Sequence, residues 1–149
     1  MAVAPQITGR VIAVHVVDNQ IVKKGDKLAS IDPVPFQLVV NQTKAQIEKS
    51  AALLKVAQEE LETATAALQA STSTHTYALE QQRRYSDLAR KQYAPVEQLD
   101  RTNDELRRSA AEMTISQIAI NRAHAGILAH QAALDLAKRD FLADVSHEF

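Results

Sequence analysis

The sequence has no cysteine and no tryptophan, and its 149 residues include only three glycines, four prolines and 4% aromatics. Without cysteine there is no disulfide, no thiolate zinc site and no cysteine nucleophile. Glycine and proline together ordinarily make up about 12% of a chain, and their scarcity here argues against a turn-rich all-β or α/β globule. Charge of either sign is not in excess: 17 Lys and Arg against 18 Asp and Glu leave a formal net charge of −1. That balance provides no electrostatic footprint for nucleic acid or an anionic membrane surface. No apolar run approaches the ~18 residues that span a bilayer. Met1 to Pro5 lacks the basic start and apolar stretch of a signal peptide. What is present in quantity is alanine, 25 residues of it, within a hydrophobic share of 46%. An alanine-rich, aromatic-poor chain favours long helices packed closely in pairs.

The few turn-formers are unevenly placed. Pro5, Gly9, Gly25, Pro33 and Pro35 lie in the first 35 residues, and only Pro95 and Gly126 follow. Residues 1–32 therefore form a β segment. The valine- and isoleucine-rich stretches Ile7 to Val17 and Ile21 to Ile31, parted by Asp18-Asn19-Gln20 and Lys23-Lys24-Gly25-Asp26, predict three or four short strands. The nearly unbroken apolar run from Val11 to Val17, with Arg10 and His15 the exceptions, predicts a strand at least partly covered on both faces. Asp32-Pro33 then supplies a helix cap followed by a first-turn proline.

Residues 33–143 predict an α-helical hairpin, with helix 1 over about 34–90, a tip at about 91–95 and helix 2 over about 96–143, leaving 144–149 as a tail. Phe36 to Ala94 holds neither glycine nor proline. Val40, Ile47, Leu54, Leu61 and Leu68 recur every seven residues, each followed at plus three by a small residue: Thr43, Ser50, Ala57, Ala64 and Ser71. The second half repeats the scheme with Leu99, Leu106, Met113, Ile120, Ile127, Leu134 and Phe141, and with Thr102, Ser109, Ser116, Ala123, His130 and Ala137 at plus three. A strict period of seven is a coiled-coil seam, and small residues at alternate seam positions let two backbones approach closely. The short break before Pro95 makes the two helices antiparallel neighbours, in a hairpin of roughly 70 to 80 Å at 1.5 Å rise per residue. Ser71 to Thr76, poor in helix formers, predicts a local softening of helix 1.

Catalytic chemistry finds no foothold. Three scattered glycines build no phosphate-cradling loop. The histidines at 15, 75, 124, 130 and 147 never stand four apart, so no helix face offers paired metal ligands. Glu59-Glu60 and Asp104-Glu105 sit among basic residues on outer helix faces, where charge is solvated. The reading is therefore of a chain with no enzyme activity, cofactor or metal. His75 and His130 fall on the seam, where protonation is a candidate means of loosening it.

Residues 3–33 carry a resemblance. The order Val3-Ala4-Pro5-Gln6-Ile7-Thr8-Gly9-Arg10-Val11-Ile12, then Val16-Val17-Asp18-Asn19-Gln20-Ile21-Val22-Lys23-Lys24-Gly25-Asp26-Lys27-Leu28, then Ile31-Asp32-Pro33 before a long helix, resembles the HlyD-type periplasmic adaptor (membrane fusion protein) family, in particular its EmrA-like members. The resemblance implies a mainly α fold in which half of a biotinyl-lipoyl-like barrel-sandwich hybrid bears a long antiparallel coiled-coil hairpin. It implies an adaptor, in the periplasm and associated with the inner membrane, that links an inner-membrane transporter to a TolC-like outer-membrane channel in efflux or secretion. It also implies homo-oligomers, with membrane contact only through an N-terminal anchor that lies outside this sequence. The turn that would present a carrier lysine reads Ile31-Asp32-Pro33, so no swinging-arm cofactor is implied. Of the Arg, Leu, Ser pattern at the tips of such hairpins, Arg84 and Leu88 match and the serine position is Pro95; with Tyr93 these are the candidate tip residues. The missing half of the barrel implies self-association through residues 7–31.

The last residues support a competing reading. Arg139-Asp140-Phe141-Leu142-Ala143-Asp144-Val145-Ser146-His147-Glu148 resembles the phosphoacceptor box of sensor histidine kinases, which would make the chain a coiled-coil dimerisation or signalling module with His147 as acceptor. The kinase pattern would continue Leu-Arg-Thr-Pro where this sequence has Phe149, and no glycine-rich ATP-binding segment accompanies it.

Overall fold

Two short strands, β1 (Val11–Val14) and β2 (Ala29–Ile31), precede two long helices, α1 (Val34–Arg90) and α2 (Val96–Glu148), in a computed structural model that describes residues 7–148, with side chains from 7 to 143. The side chain of His147 lies outside the described residues. The fold is mainly helical, with the small β segment that the sequence places first. It divides into two compact units: Ala51–Ala133, and Met1–Ser50 with Leu134–Phe149.

The β segment is thinner than expected. β1 and β2 pair antiparallel, with Val11 opposite Ile31 and Val14 opposite Ala29, and with an irregularity between Val11 and Ala13. No other strand forms among the described residues, against an expectation of three or four. A strand needs a neighbour to take up its backbone groups, and none lies beside Val16-Val17 or Ile21-Val22. The expectation of two partly covered faces also fails: Ile12 is 57%, Val14 68% and Val17 76% exposed. The intervening turns are tightly made all the same. Asn19 and Gly25 take positive φ at their apices (63° and 102°). Val17 N–H donates to the Gln20 side chain, and Lys23 N–H to Asp26.

Asp32 converts strand to helix. Its backbone N–H donates to the Arg10 carbonyl, and its carboxylate accepts from Val34 N–H at 3.0 Å. Pro33 and Pro35 occupy first-turn positions whose N–H groups have no intrahelical acceptor anyway.

Within Ala51–Ala133 the register of the helix pair is set by two side-chain bridges, His75 to Ser109 and Gln82 to Asn103. Both join an early residue of α1's second half to a late-paired residue of α2's first half, so the helices run antiparallel. Stepping by sevens from the His75–Ser109 layer sets Leu68 against Ser116, Leu61 against Ala123 and Leu54 against His130. The interleaved layers set Leu106 against Ala78, Met113 against Ser71, Ile120 against Ala64 and Ile127 against Ala57. Each apolar layer thus opposes a large residue to a smaller one, and the large residue alternates between helices. Close approach follows from this alternation. The deepest burial accordingly falls on the small residues: Ser109 is 1%, Ala78 2% and Ala57 3% exposed.

Ser71 to Thr76 is helical throughout. Ser71, Ser73, Thr74 and Thr76 donate their hydroxyls to carbonyls three or four residues back, which removes them as competitors for the helix's own amides. α2 continues beyond residue 143 to Glu148, since no glycine or proline follows Gly126 to stop it.

Candidate partner-binding surfaces

The helix pair ends in a five-residue turn built on backbone bonds. Gln92 takes a left-handed conformation (φ 61°). Its N–H donates to the Ala89 carbonyl and the Tyr93 N–H to that of Leu88, at 2.9 and 2.8 Å. This is a Schellman stop, which satisfies carbonyls that the last helical turn leaves free. Pro95 then accepts from Gln98 N–H as α2 begins.

This turn sorts the four expected tip residues. Leu88 is half-buried, and Tyr93 is 79% exposed beside it through the backbone bond just described. Pro95 is exposed at the start of α2, and Arg84 is exposed one helical turn before Leu88. Arg83 and Arg84 make no ion pair among the described residues, unlike Arg90, Arg101, Arg107 and Arg108, which pair with carboxylates three or four residues away on their own helix. All four pairs are more than half exposed, the class that contributes only about 0.3–0.5 kcal/mol each. The tip therefore presents two uncommitted guanidinium groups, an exposed phenol ring and the exposed side chains of Pro95 and Val96.

The twelve expected seam residues lie on the inner side of the helices. Val40, Ile47, Leu54, Leu61, Leu68, Leu99, Leu106, Met113, Ile120, Ile127 and Phe141 are half-buried and Leu134 is buried. With only two helices, most large seam side chains keep one edge in water, while the deepest burial goes to small residues such as Ser109, Ala78 and Ala57. His75 and Gln82, one and two heptads beyond Leu68, carry the α1 seam through polar residues. Ser109 donates its hydroxyl to the Leu106 carbonyl, so His75 Nδ1 must be the donor in the bond to Ser109 Oγ.

Sequence reasoning missed one surface. An open groove of about 660 Å³ runs along the helix pair, with Val56, Glu60 and Ala67 on the α1 bank and Ile115, Ala119 and Arg122 on the α2 bank. Its signal was available one position before a few seam residues, at Leu53, Val56, Ala67, Ile115 and Ala119, where apolar side chains stand although the seam itself is already filled. Among the described residues no three histidines or carboxylates converge as a metal site, and no helix is long and apolar enough to cross a membrane.

The comparisons with known proteins agree with this architecture. A family model described as the barrel-sandwich hybrid domain of RND membrane fusion proteins matches residues 1–127. The chain belongs to the RND membrane fusion protein family. This membrane fusion protein is 30% identical over 121 residues to the multidrug resistance protein MdtA of Photorhabdus laumondii, an overlap that takes in 81% of this chain and 25% of MdtA. It is 29% identical over 123 residues to MdtA of Proteus mirabilis, again across 25% of that protein. The chain thus spans about a quarter of the relatives it matches. Its fold is that of the periplasmic adaptor protein EmrA, with a TM-score of 0.58 at 18% identity, over 96% of this chain and 52% of EmrA.

Proposed function

We propose that this membrane fusion protein is the hairpin-bearing part of a periplasmic adaptor, associated with the inner membrane, that joins an inner-membrane transporter to a TolC-like outer-membrane channel in drug efflux or secretion. It acts by geometry and without catalysis. The observation that carries this reading is a helix pair whose seam is consumed by its own packing and whose tip is kept as a short, backbone-braced turn with unpaired cations. Such a pair offers reach and a presenting end; it offers no pocket in which a substrate is transformed. The seam from Val40 to Leu68 and from Leu99 to Phe141 serves as the spacer. Arg84, Leu88, Tyr93 and Pro95 serve as the contact to the channel, with Arg84 suited to carbonyl or carboxylate acceptors at a helical rim. The barrel-sandwich segment stays at the transporter end, and copies of the adaptor assemble around the conduit.

The test uses the full-length protein that contains this segment, expressed in cells lacking it. A photo-crosslinking residue at Tyr93 is expected to capture the outer-membrane channel, and Arg84→Glu to lower drug efflux while leaving the adaptor's abundance unchanged. No channel adduct from Tyr93, together with full efflux by Arg84→Glu, would overturn the tip assignment.

A further inference from the structure

Between the Leu106–Ala78 layer and the next apolar layer toward the tip, which the same register makes Leu99 against Tyr85, the helix pair carries no large apolar side chain. Gln82, Asn103 and the buried Thr102 occupy that stretch, and an open cleft of about 340 Å³ lies over it. Its floor is Ala78 and Thr102, small residues exposed by only 2% and 9%. Tyr77 and Tyr85 flank Gln81 on the α1 wall, and Gln98 and Arg101 line the α2 wall. Tyr77 is 63% exposed, and Tyr85 is half-buried.

The neutral polar groups of this cleft are free and its charges are engaged. Neither tyrosine hydroxyl and neither glutamine side chain makes a hydrogen bond among the described residues. Arg101 pairs with Glu97 at 2.6 Å, and Glu105, which also lines the cleft, pairs with Arg108 at 3.6 Å. One cation and one anion, each paired along its own helix, present no net charge to draw an ion. The two rings offer apolar faces of negative potential, which suit C–H groups. The carboxamides both donate and accept hydrogen bonds, as an acetamido group does. A ligand that satisfies both sets has faces of C–H and an edge of hydroxyls and amides, which is the make-up of an acetamido sugar.

Tyr77 and Tyr85 stand eight residues apart, about 12 Å along the helix axis. One pyranose ring does not bridge that distance; a short chain of them does. Proline-rich peptides also dock in aromatic-lined grooves, but they need rings close enough to grip one proline between them, and these two are not. We infer that this cleft binds a neutral oligosaccharide of acetamido sugars, with Tyr77 and Tyr85 stacked on separate sugar rings and Gln81 and Gln98 bonded to the acetamido groups between them. The site goes beyond the adaptor reading and does not rest on it: sugar binding and drug efflux are separate measurements.

The test is isothermal titration calorimetry of the full-length protein that contains this segment, with the linear tetramer of N-acetylglucosamine as probe. Saturable binding is expected. Tyr77→Ala is expected to weaken it about tenfold and Tyr77→Phe to keep most of it, because stacking needs the ring and not the hydroxyl. Gln98→Ala is expected to weaken it as well, with helix content by circular dichroism unchanged throughout. No saturable binding, or an affinity indifferent to Tyr77→Ala, would overturn the site. So would an equal loss from Tyr93→Ala, which removes an exposed ring outside the cleft, or tighter binding of a proline-rich peptide than of the sugar.

Discussion

His75 meets Ser109 across the helix pair, with Nδ1 3.1 Å from Oγ, and the same serine hydroxyl donates to the Leu106 carbonyl. Seven residues on, Gln82 donates to Asn103 at 3.1 Å. Two layers of the seam, parted by the Leu106–Ala78 layer, are thus polar and satisfied. Such layers weaken packing and define register, because any slip leaves their groups unpaired. Ser109→Ala is expected to cost about 0.5–1.5 kcal/mol through the lost hydrogen bond. Combining His75→Leu with Gln82→Leu is expected to raise the midpoint of thermal unfolding while broadening the distribution of helix registers. Circular dichroism melts check the first effect, and double electron resonance between labels on α1 and α2 checks the second. A sharp single distance in the double variant would show that the apolar layers alone set the register.

Gly9 lies against the β segment so closely that a Cβ would come within 2.3 Å of Ile31 Cγ2, with the Phe36 ring 3.6 Å away. The Ile31 methyl sits on a branched Cβ and has little room to swing aside. Gly9→Ala is therefore expected to push β2 away from Arg10, whose carbonyl accepts the Asp32 N–H at 2.7 Å, at a cost of about 1–3 kcal/mol. The reading is hydrogen exchange: the Asp32 amide should lose protection while amides in the middle of α1 keep theirs.

At the tip, the left-handed residue of the Schellman stop is Gln92, where glycine is the usual occupant. A side chain in that conformation costs roughly 1–2 kcal/mol. Gln92→Gly should stabilise the turn by about 1 kcal/mol after the added freedom of the unfolded chain is deducted. Gln92→Val should destabilise it by more, since branching at Cβ aggravates the clash. Unfolding in urea measures both, with a shift in midpoint at constant slope as the expected signature.

The helix pair was legible because a period of seven needs no knowledge of distant residues: Leu99 to Phe141 states it outright. Which residues would be most deeply buried was less legible. The eye follows Leu61 and Ile120, yet burial goes to Ala57, Ala78 and Ser109, because two helices alone cannot enclose a large side chain. The strands were overcalled because Val16-Val17 and Ile21-Val22 have strand propensity without a partner to pair with, and pairing is non-local. Gln92 gave no sign of its conformation, since glutamine is not a residue of left-handed turns. The flank groove stayed hidden because reading the seam assigns each apolar residue to one stripe, and Val56 and Ile115 belong to a second.

Gly126 belongs to that second stripe and is the one glycine of α2. A Cβ there would meet nothing within 4 Å, so packing within a single chain does not require it, although a glycine in a helix interior costs about 0.5–1 kcal/mol relative to alanine. Gly126→Ala is accordingly expected to raise stability by about that amount. Thermal melts read the difference, with the midpoint of Gly126→Ala above that of the unchanged chain as the expected result. An unchanged or lowered midpoint would mean that α2 at Gly126 is held in a backbone conformation that alanine does not share.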